Sequence, residues 1–254
     1  MYRVRLSAAA IAAIFAGIPS ALADNFAGYH QTNWTGFYVG GHAGVIVDGG
    51  ATYTYTTQPA SNFEPPNRPR PTDMDDEAIY GIQGGYLHQF GWLVAGVEGS
   101  ISFGDAEGVL RENPPPGNDY VTKTEMNEIY AISGRLGVAH DRFFVYGKVG
   151  YAWTEFDFSA QFNNFGPPSV TRISNTFETE GAVYGGGVEF ALTEHVTIGA
   201  EYLRYDFGSE GATLVATNTG INPETLNADF EIDVVQARLN FKFGDDRRSV
   251  VPLK

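Results

Sequence analysis

Glu98, Arg135, Lys148, Glu189, Glu201 and Arg238 are the residues best placed to do chemistry together. Each stands in a stretch where polarity alternates residue by residue, on the side that otherwise holds mainly Gly, Ser, Ala and Gln. Each also lies four to seven residues from a short polar link or from Phe243. At strand rise and tilt those offsets define a band on the order of 7 Å deep. Three acids and three bases at one height make a mutually paired network, with Glu98–Arg135 on neighbouring segments the expected pair. Lys242 sits apart, beside the last aromatic of the final segment.

Nucleophilic catalysis needs a hydroxyl or thiol beside a base. The chain has no Cys, which also removes disulfides and thiolate metal sites. His88, His140 and His195 fall at or beside short links, His30 precedes the first alternating segment, and His42 is alone on its side of that segment. Ser100 and Ser102 share the inward side of their segment but have no adjacent His in their hairpin. The chain therefore reads as a non-enzyme. No phosphate loop, nucleotide fingerprint or metal-ligand spacing occurs, so neither cofactor nor metal is expected. A formal charge of -14 opposes nucleic-acid binding, which needs a basic face.

The elements that must position the six charges are strands. The segments 36–47, 78–88, 92–103, 127–139, 143–156, 181–192, 196–207 and 229–243 alternate with period two. One side is bulky and apolar, as in Val235, Ala237, Leu239, Phe241 and Phe243; the other is small, polar or charged, as in Gln236, Arg238, Asn240 and Lys242. A soluble sheet would crowd its solvent side with charge. Here that side is sparse in charge and rich in Gly, which fits a cramped barrel interior with the apolar side facing lipid. Arg or Lys on a lipid face near mid-bilayer would cost roughly 2–4 kcal/mol, so the six charges belong inside.

Gln89–Gly91, His140–Arg142 and Thr193–His195 are short links, whereas 48–77, 104–126, 157–180 and 208–228 are long and polar. None of the 13 Pro falls in the eight segments, as a closed barrel in lipid requires. The expected fold is all-β: an eight-stranded antiparallel transmembrane β-barrel with short periplasmic turns and long external loops. In the first loop Tyr53-Thr54-Tyr55 extends a strand beyond the bilayer. Arg68 and Arg70 and the acidic cluster Asp73, Asp75, Asp76 and Glu77 then form either a binding site for a divalent cation, lipopolysaccharide or host ligand, or a solvated Pro-stiffened loop.

Arg3 and Arg5, an apolar run to Ile18, Pro19 and the small residues Ala21 and Ala23 make residues 1–23 a signal peptide cleaved after Ala23. Residues 24–33 are then an N-terminal periplasmic lead, 34–243 the barrel and 244–254 a short periplasmic tail. Asn33-Trp34-Thr35-Gly36-Phe37-Tyr38-Val39-Gly40-Gly41 resembles the first strand of the small OmpA-like outer-membrane barrels of alphaproteobacteria, the opacity-type or outer-membrane immunogenic proteins also called the porin family. Gly96-Val97-Glu98-Gly99, Gly134 to Ala139, Gly185 to Thr193, Glu201 to Gly208 and Ala237 to Phe243 are similar to that family in the same order.

The resemblance implies the Gram-negative outer membrane, eight strands, and an assembly machinery that reads a last strand ending in aromatics, here Phe241 and Phe243. Family members usually stop at that Phe, whereas Gly244 to Lys254 follow here. The expected function is a structural outer-membrane barrel that supports envelope integrity and presents surface loops. Its expected partners are outer-membrane lipids and lipopolysaccharide, the assembly machinery, and a host or envelope ligand at the loops. A narrow diffusion porin is the alternative and a lipid-modifying barrel enzyme the remoter one.

Overall fold

Long alternating stretches rich in Gly and aromatics have no use for a helix, and all regular structure among the described residues is strand. The computed structural model describes residues 32–56, 67, 69–74, 77–112, 120–163, 170–214 and 224–243. The strands are β1 Gly36–Tyr55, β2 Pro69–Asp73, β3 Ala78–Phe90, β4 Leu93–Glu112, β5 Tyr120–His140, β6 Phe143–Asn163, β7 Val170–Ala191, β8 Val196–Leu214 and β9 Glu224–Phe243. Sequential neighbours pair antiparallel, and β9 pairs back onto β1. β2 and β3 follow each other along one side of β1, so the closed ring has eight strands.

At one end the links are tight. Phe90 pairs Leu93 and His140 pairs Phe143, with left-handed backbone at Gly91 and Asp141 to close these hairpins. Gln89 and Phe90, read from sequence as link residues, thus belong to β3. At the other end the strands run well past their expected limits. The β4–β5 ladder reaches Glu112–Tyr120, β6–β7 reaches Asn163–Val170, and β8–β9 reaches Leu214–Glu224. Most of the stretches expected to be long loops are therefore pleated sheet. Pro69 and Pro71 lie in β2, which has a ladder with β1 and none with β4, so a missing N–H is tolerated on its other side.

The reason for the extra strand length is a reversal of polarity. Along β6 the outward residues Phe143, Val145, Gly147, Val149, Tyr151 and Trp153 give way to Glu155, Asp157 and Ser159. The inward residues change the other way, from Lys148 to Ala152, Phe156, Phe158 and Ala160. β9 does the same: Leu226, Ala228, Phe230, Ile232 and Val234 point inward above Gln236, Arg238 and Asn240, while Asn227, Asp229 and Glu231 point outward above Val235 and Leu239. The ten steps from Phe143 to Trp153, at ~3.3 Å each and ~40° tilt, span about 25 Å, the height of the apolar band of an outer-membrane barrel. Below Trp153 the wall is built for lipid; above it, for water.

Register shifts in β1 (Ile46/Asp48), β4 (Phe103/Ala106), β5 (Met126/Ile129) and β8 (Asp206/Ser209) mark the same transition. Bulges bend the wall and re-aim side chains. Among the described residues the β7–β8 ladder ends at Ala182–Asp206 and the β3–β4 ladder at Tyr80–Phe103. Beyond those points β4 to β7 form one sheet and β8, β9, β1 and β2 another, with an aromatic core between. Phe156 stacks on Phe230 at 4.0 Å between ring centroids, and Tyr53 lies 5.0 Å from Phe158. This external head is a small sandwich on top of the barrel.

Candidate functional site

The polar site is the middle layer of the barrel interior. Glu98 on β4, Arg135 on β5, Lys148 on β6, Glu189 on β7, Glu201 on β8 and Arg238 on β9 all point inward and are at most 5% exposed. Six successive strands each supply one charge. Closing the ring brings them to one point, because an eight-stranded interior has room for side chains alone.

Glu98 is the hub. Its carboxylate accepts from Lys148 Nζ at 2.7 Å, from the Tyr38 hydroxyl at 2.6 Å, from Arg135 Nη1 at 3.4 Å, and from Arg238. Glu189 accepts from Arg135, from Thr197 at 3.0 Å and from Asn240 at 3.2 Å. Glu201 accepts from Arg238 and Tyr146 at 3.0 Å and from Gln236 at 2.9 Å. The Arg135 guanidinium also lies over the Tyr146 ring, 3.8 Å from its centroid. The Glu98–Arg135 pair forms, but it is one contact of several: Arg135 also bonds Glu189, and Arg238 bridges all three acids. Buried charges at this density are tolerable because each carboxylate meets at least two cations and neutral donors besides.

Tyr38, Tyr146, Thr197, Gln236 and Asn240 complete the network and were not singled out in the sequence. Tyr146 shares the side of Lys148 and was open to that reading; Tyr38 lies at the membrane end of β1, where a Tyr is commonplace on either face. Lys242 stays outside the cluster, donating to the Asn33 carbonyl near the tight-turn end. Phe241 and Phe243 face outward and are about half exposed at that end. Ala21 and Ala23, His30, Arg68, Asp75, Asp76 and the 244–254 tail lie outside the described residues.

Two apolar layers enclose the charges. Toward the tight turns, Trp34, Leu87, Val94, Ala139, Phe144 and Ala191 form a floor, with Trp34 and Phe144 rings 5.2 Å apart. Above the charges lies the head core, including Leu203, Tyr205 and Phe207. These three share the side of Glu201, so at this level the inward side, expected to be small, polar or charged, is bulky and apolar. From Arg204 and Asp206 upward the outward side of β8 turns polar, and the burial site for aromatics is the inside.

One further pair was not visible in the sequence. His42 Nε2 lies 2.9 Å from Ser102 Oγ, and His42 Nδ1 lies 2.7 Å from Gln83 Oε1. The expectation that Ser102 lacks a His partner held only within its own hairpin; β1 and β4 both flank β3, which brings the two together. The same Gln83 donates to Asn240 at 2.7 Å and so links His42 to the charge network. Ser102 is 2% exposed and His42 7%, both facing into the sealed interior.

The profile of one protein family, described as the outer membrane protein beta-barrel domain, matches residues 7–243. The chain is 24% identical over 217 residues to the 31 kDa outer-membrane immunogenic protein of Brucella melitensis, covering 83% of this chain and 84% of that one. Among solved structures it resembles outer membrane protein OprG from Pseudomonas aeruginosa, with a TM-score of 0.54 at 13% identity, covering 85% of this chain and 99% of that one. It also resembles outer membrane protease OmpT from Escherichia coli, with a TM-score of 0.50 at 8% identity and the same coverage. At those identities the structural likeness speaks for the fold alone.

Proposed function

Because the chain belongs to the outer membrane protein beta-barrel domain family, and so to the Gram-negative outer membrane, we propose that it is a closed structural barrel. It holds a folded head above the outer leaflet for surface interaction and adds to envelope integrity. The observation that carries this reading is the filled interior: an aromatic floor, a neutral six-charge layer and an apolar head core stand in series along the axis. In this reading outer-membrane lipids and lipopolysaccharide cover the belt, Phe241 and Phe243 present the assembly machinery with its aromatic strand end, and envelope or host ligands meet the head. The reading is non-enzymatic, since the Ser102–His42 pair faces inward, where no substrate passes.

Conductance separates this reading from a diffusion pore. Purified, folded protein inserted in a planar lipid bilayer is expected to give no steady stepwise current at moderate voltage. Reproducible unitary steps that scale with protein amount would replace the closed barrel by a pore. Deleting the gene is expected to sensitise cells to large antibiotics and detergents, reversibly on complementation; unchanged sensitivity would remove the envelope role.

A further inference from the structure

The head has one open edge with a specific chemistry. Asp206-Phe207-Gly208 is the cause: β8 shifts register between Asp206 and Ser209, Gly208 takes a left-handed backbone (φ 69), and its N–H bonds the Asp206 carboxylate at 3.1 Å. β8 turns away with β9, and β7 continues alone with β6. Among the described residues, the Thr179 hydroxyl donates to the Phe207 carbonyl at 3.2 Å just past the end of the β7–β8 ladder.

Which β7 amides face the opening follows from the ladder. The Ala191 N–H bonds Arg142 on the β6 side, and the Leu192 N–H bonds Val196 on the β8 side. The β6–β7 ladder has no register shift, so odd residues of β7 bond β6 throughout and even residues face the other way. Ser174, Thr176, Glu178 and Glu180 therefore turn their backbone N–H and C=O groups toward a position with no ladder partner among the described residues. Such an edge is a template for another strand.

The side chains around it define what that strand must be. Glu128, Glu155, Asp157, Glu178, Glu180 and Glu210 line a depression of about 720 Å³ together with Tyr130 and Trp153. None of the six carboxylates is in an ion pair among the described residues; the nearby Arg204 pairs Glu231 and Asp233 instead. On the inward side the neighbours are Ile173, Phe177 and Phe207, all buried in the head core. A strand added here would point alternate side chains at six unneutralised carboxylates and at the rim of an apolar core.

We propose that the upper edge of β7 binds an extended peptide in which basic and apolar residues alternate, by strand addition to Ser174–Glu180. The inference rests on the head being an interaction surface, and it names the partner chemistry. Charge brings the peptide in, and backbone hydrogen bonds hold its register.

The test uses the full-length folded barrel in neutral detergent, free of anionic lipid, and a fluorescent decapeptide of alternating Lys and Val. Anisotropy is expected to report saturable binding that weakens at least tenfold between low and 0.5 M salt. Thr176→Pro removes an edge-facing N–H and leaves the β6 backbone ladder in place, but it also removes the hydroxyl that donates to Asp157 on β6 at 2.8 Å. Thr176→Val loses only that hydroxyl and is the control: the Pro is expected to weaken binding tenfold or more and the Val to leave it unchanged, both with heat-modifiable gel mobility unchanged. Should the Pro variant misfold, the wild-type protein with a peptide N-methylated at alternate residues asks the same question. A Glu/Val peptide is expected not to bind. No binding, or binding indifferent to the Pro, the N-methyl groups and the peptide charge, would overturn the proposal while leaving a closed, non-conducting barrel in place.

Discussion

Glu98→Gln is expected to lower the unfolding free energy of the barrel by about 3–5 kcal/mol, the cost of breaking a buried ion pair from one side. Gln keeps the shape of Glu but leaves Arg135, Lys148 and Arg238 facing only Glu189 and Glu201. One positive charge is then uncompensated in an interior where these side chains are at most 2% exposed. Reversible urea unfolding in lipid vesicles, followed by Trp fluorescence, measures the loss. Adding Arg238→Gln should restore part of it, because the second change removes the surplus charge; the double variant is expected to be more stable than the two single losses summed. Strict additivity would mean the charges do not act on one another.

Phe230→Ala is expected to cost about 3–5 kcal/mol locally, the range for truncating a buried Phe. Phe230 is 1% exposed and packs on Phe156 and Phe177 of the opposite sheet and on Tyr53 of its own. The loss should stay above the belt, since the ladders around the six charges do not depend on it. Limited proteolysis of intact cells is expected to cut the head of the variant many times faster than that of the parent, while the barrel still runs as a folded species on unboiled gels. If the head were loop rather than sandwich, Phe230→Ala would leave the cleavage rate unchanged.

The belt was legible in the sequence because the bilayer enforces a strict rule on it. From Leu93 to Phe103, Phe143 to Trp153 and Val235 to Phe243, one side had to be apolar and the other small or polar, and the six charges could sit only inside. The head was not legible as strand because its polarity runs the other way. Thr154 to Ala160 alternates as well as Phe143 to Trp153 does, but with Phe156, Phe158 and Ala160 on the side that held Lys148. Read with the belt's rule, Glu155, Asp157 and Ser159 end the strand; in water they are its solvent face. Bulges in β1, β4, β5 and β8 then break the period at the crossing point and hide the continuity. The hub position of Glu98 depends on ring closure, and the Ser102–His42 contact on β1 and β4 meeting across β3 at Gly81; residue spacing along the chain encodes neither.

The reversal of polarity at Trp153 is the central claim, and site-directed spin labelling tests it most directly. The chain has no Cys, so single labels can be placed cleanly on the outward face of β6. In vesicles, labels at Val145→Cys and Val149→Cys are expected to collide readily with oxygen and hardly at all with a water-soluble nickel chelate. Labels at Glu155→Cys and Ser159→Cys should show the opposite. Nickel access as high at Val149 as at Ser159, or oxygen-dominated access along the whole strand, would contradict the division of this wall into a lipid-facing barrel and a water-exposed head.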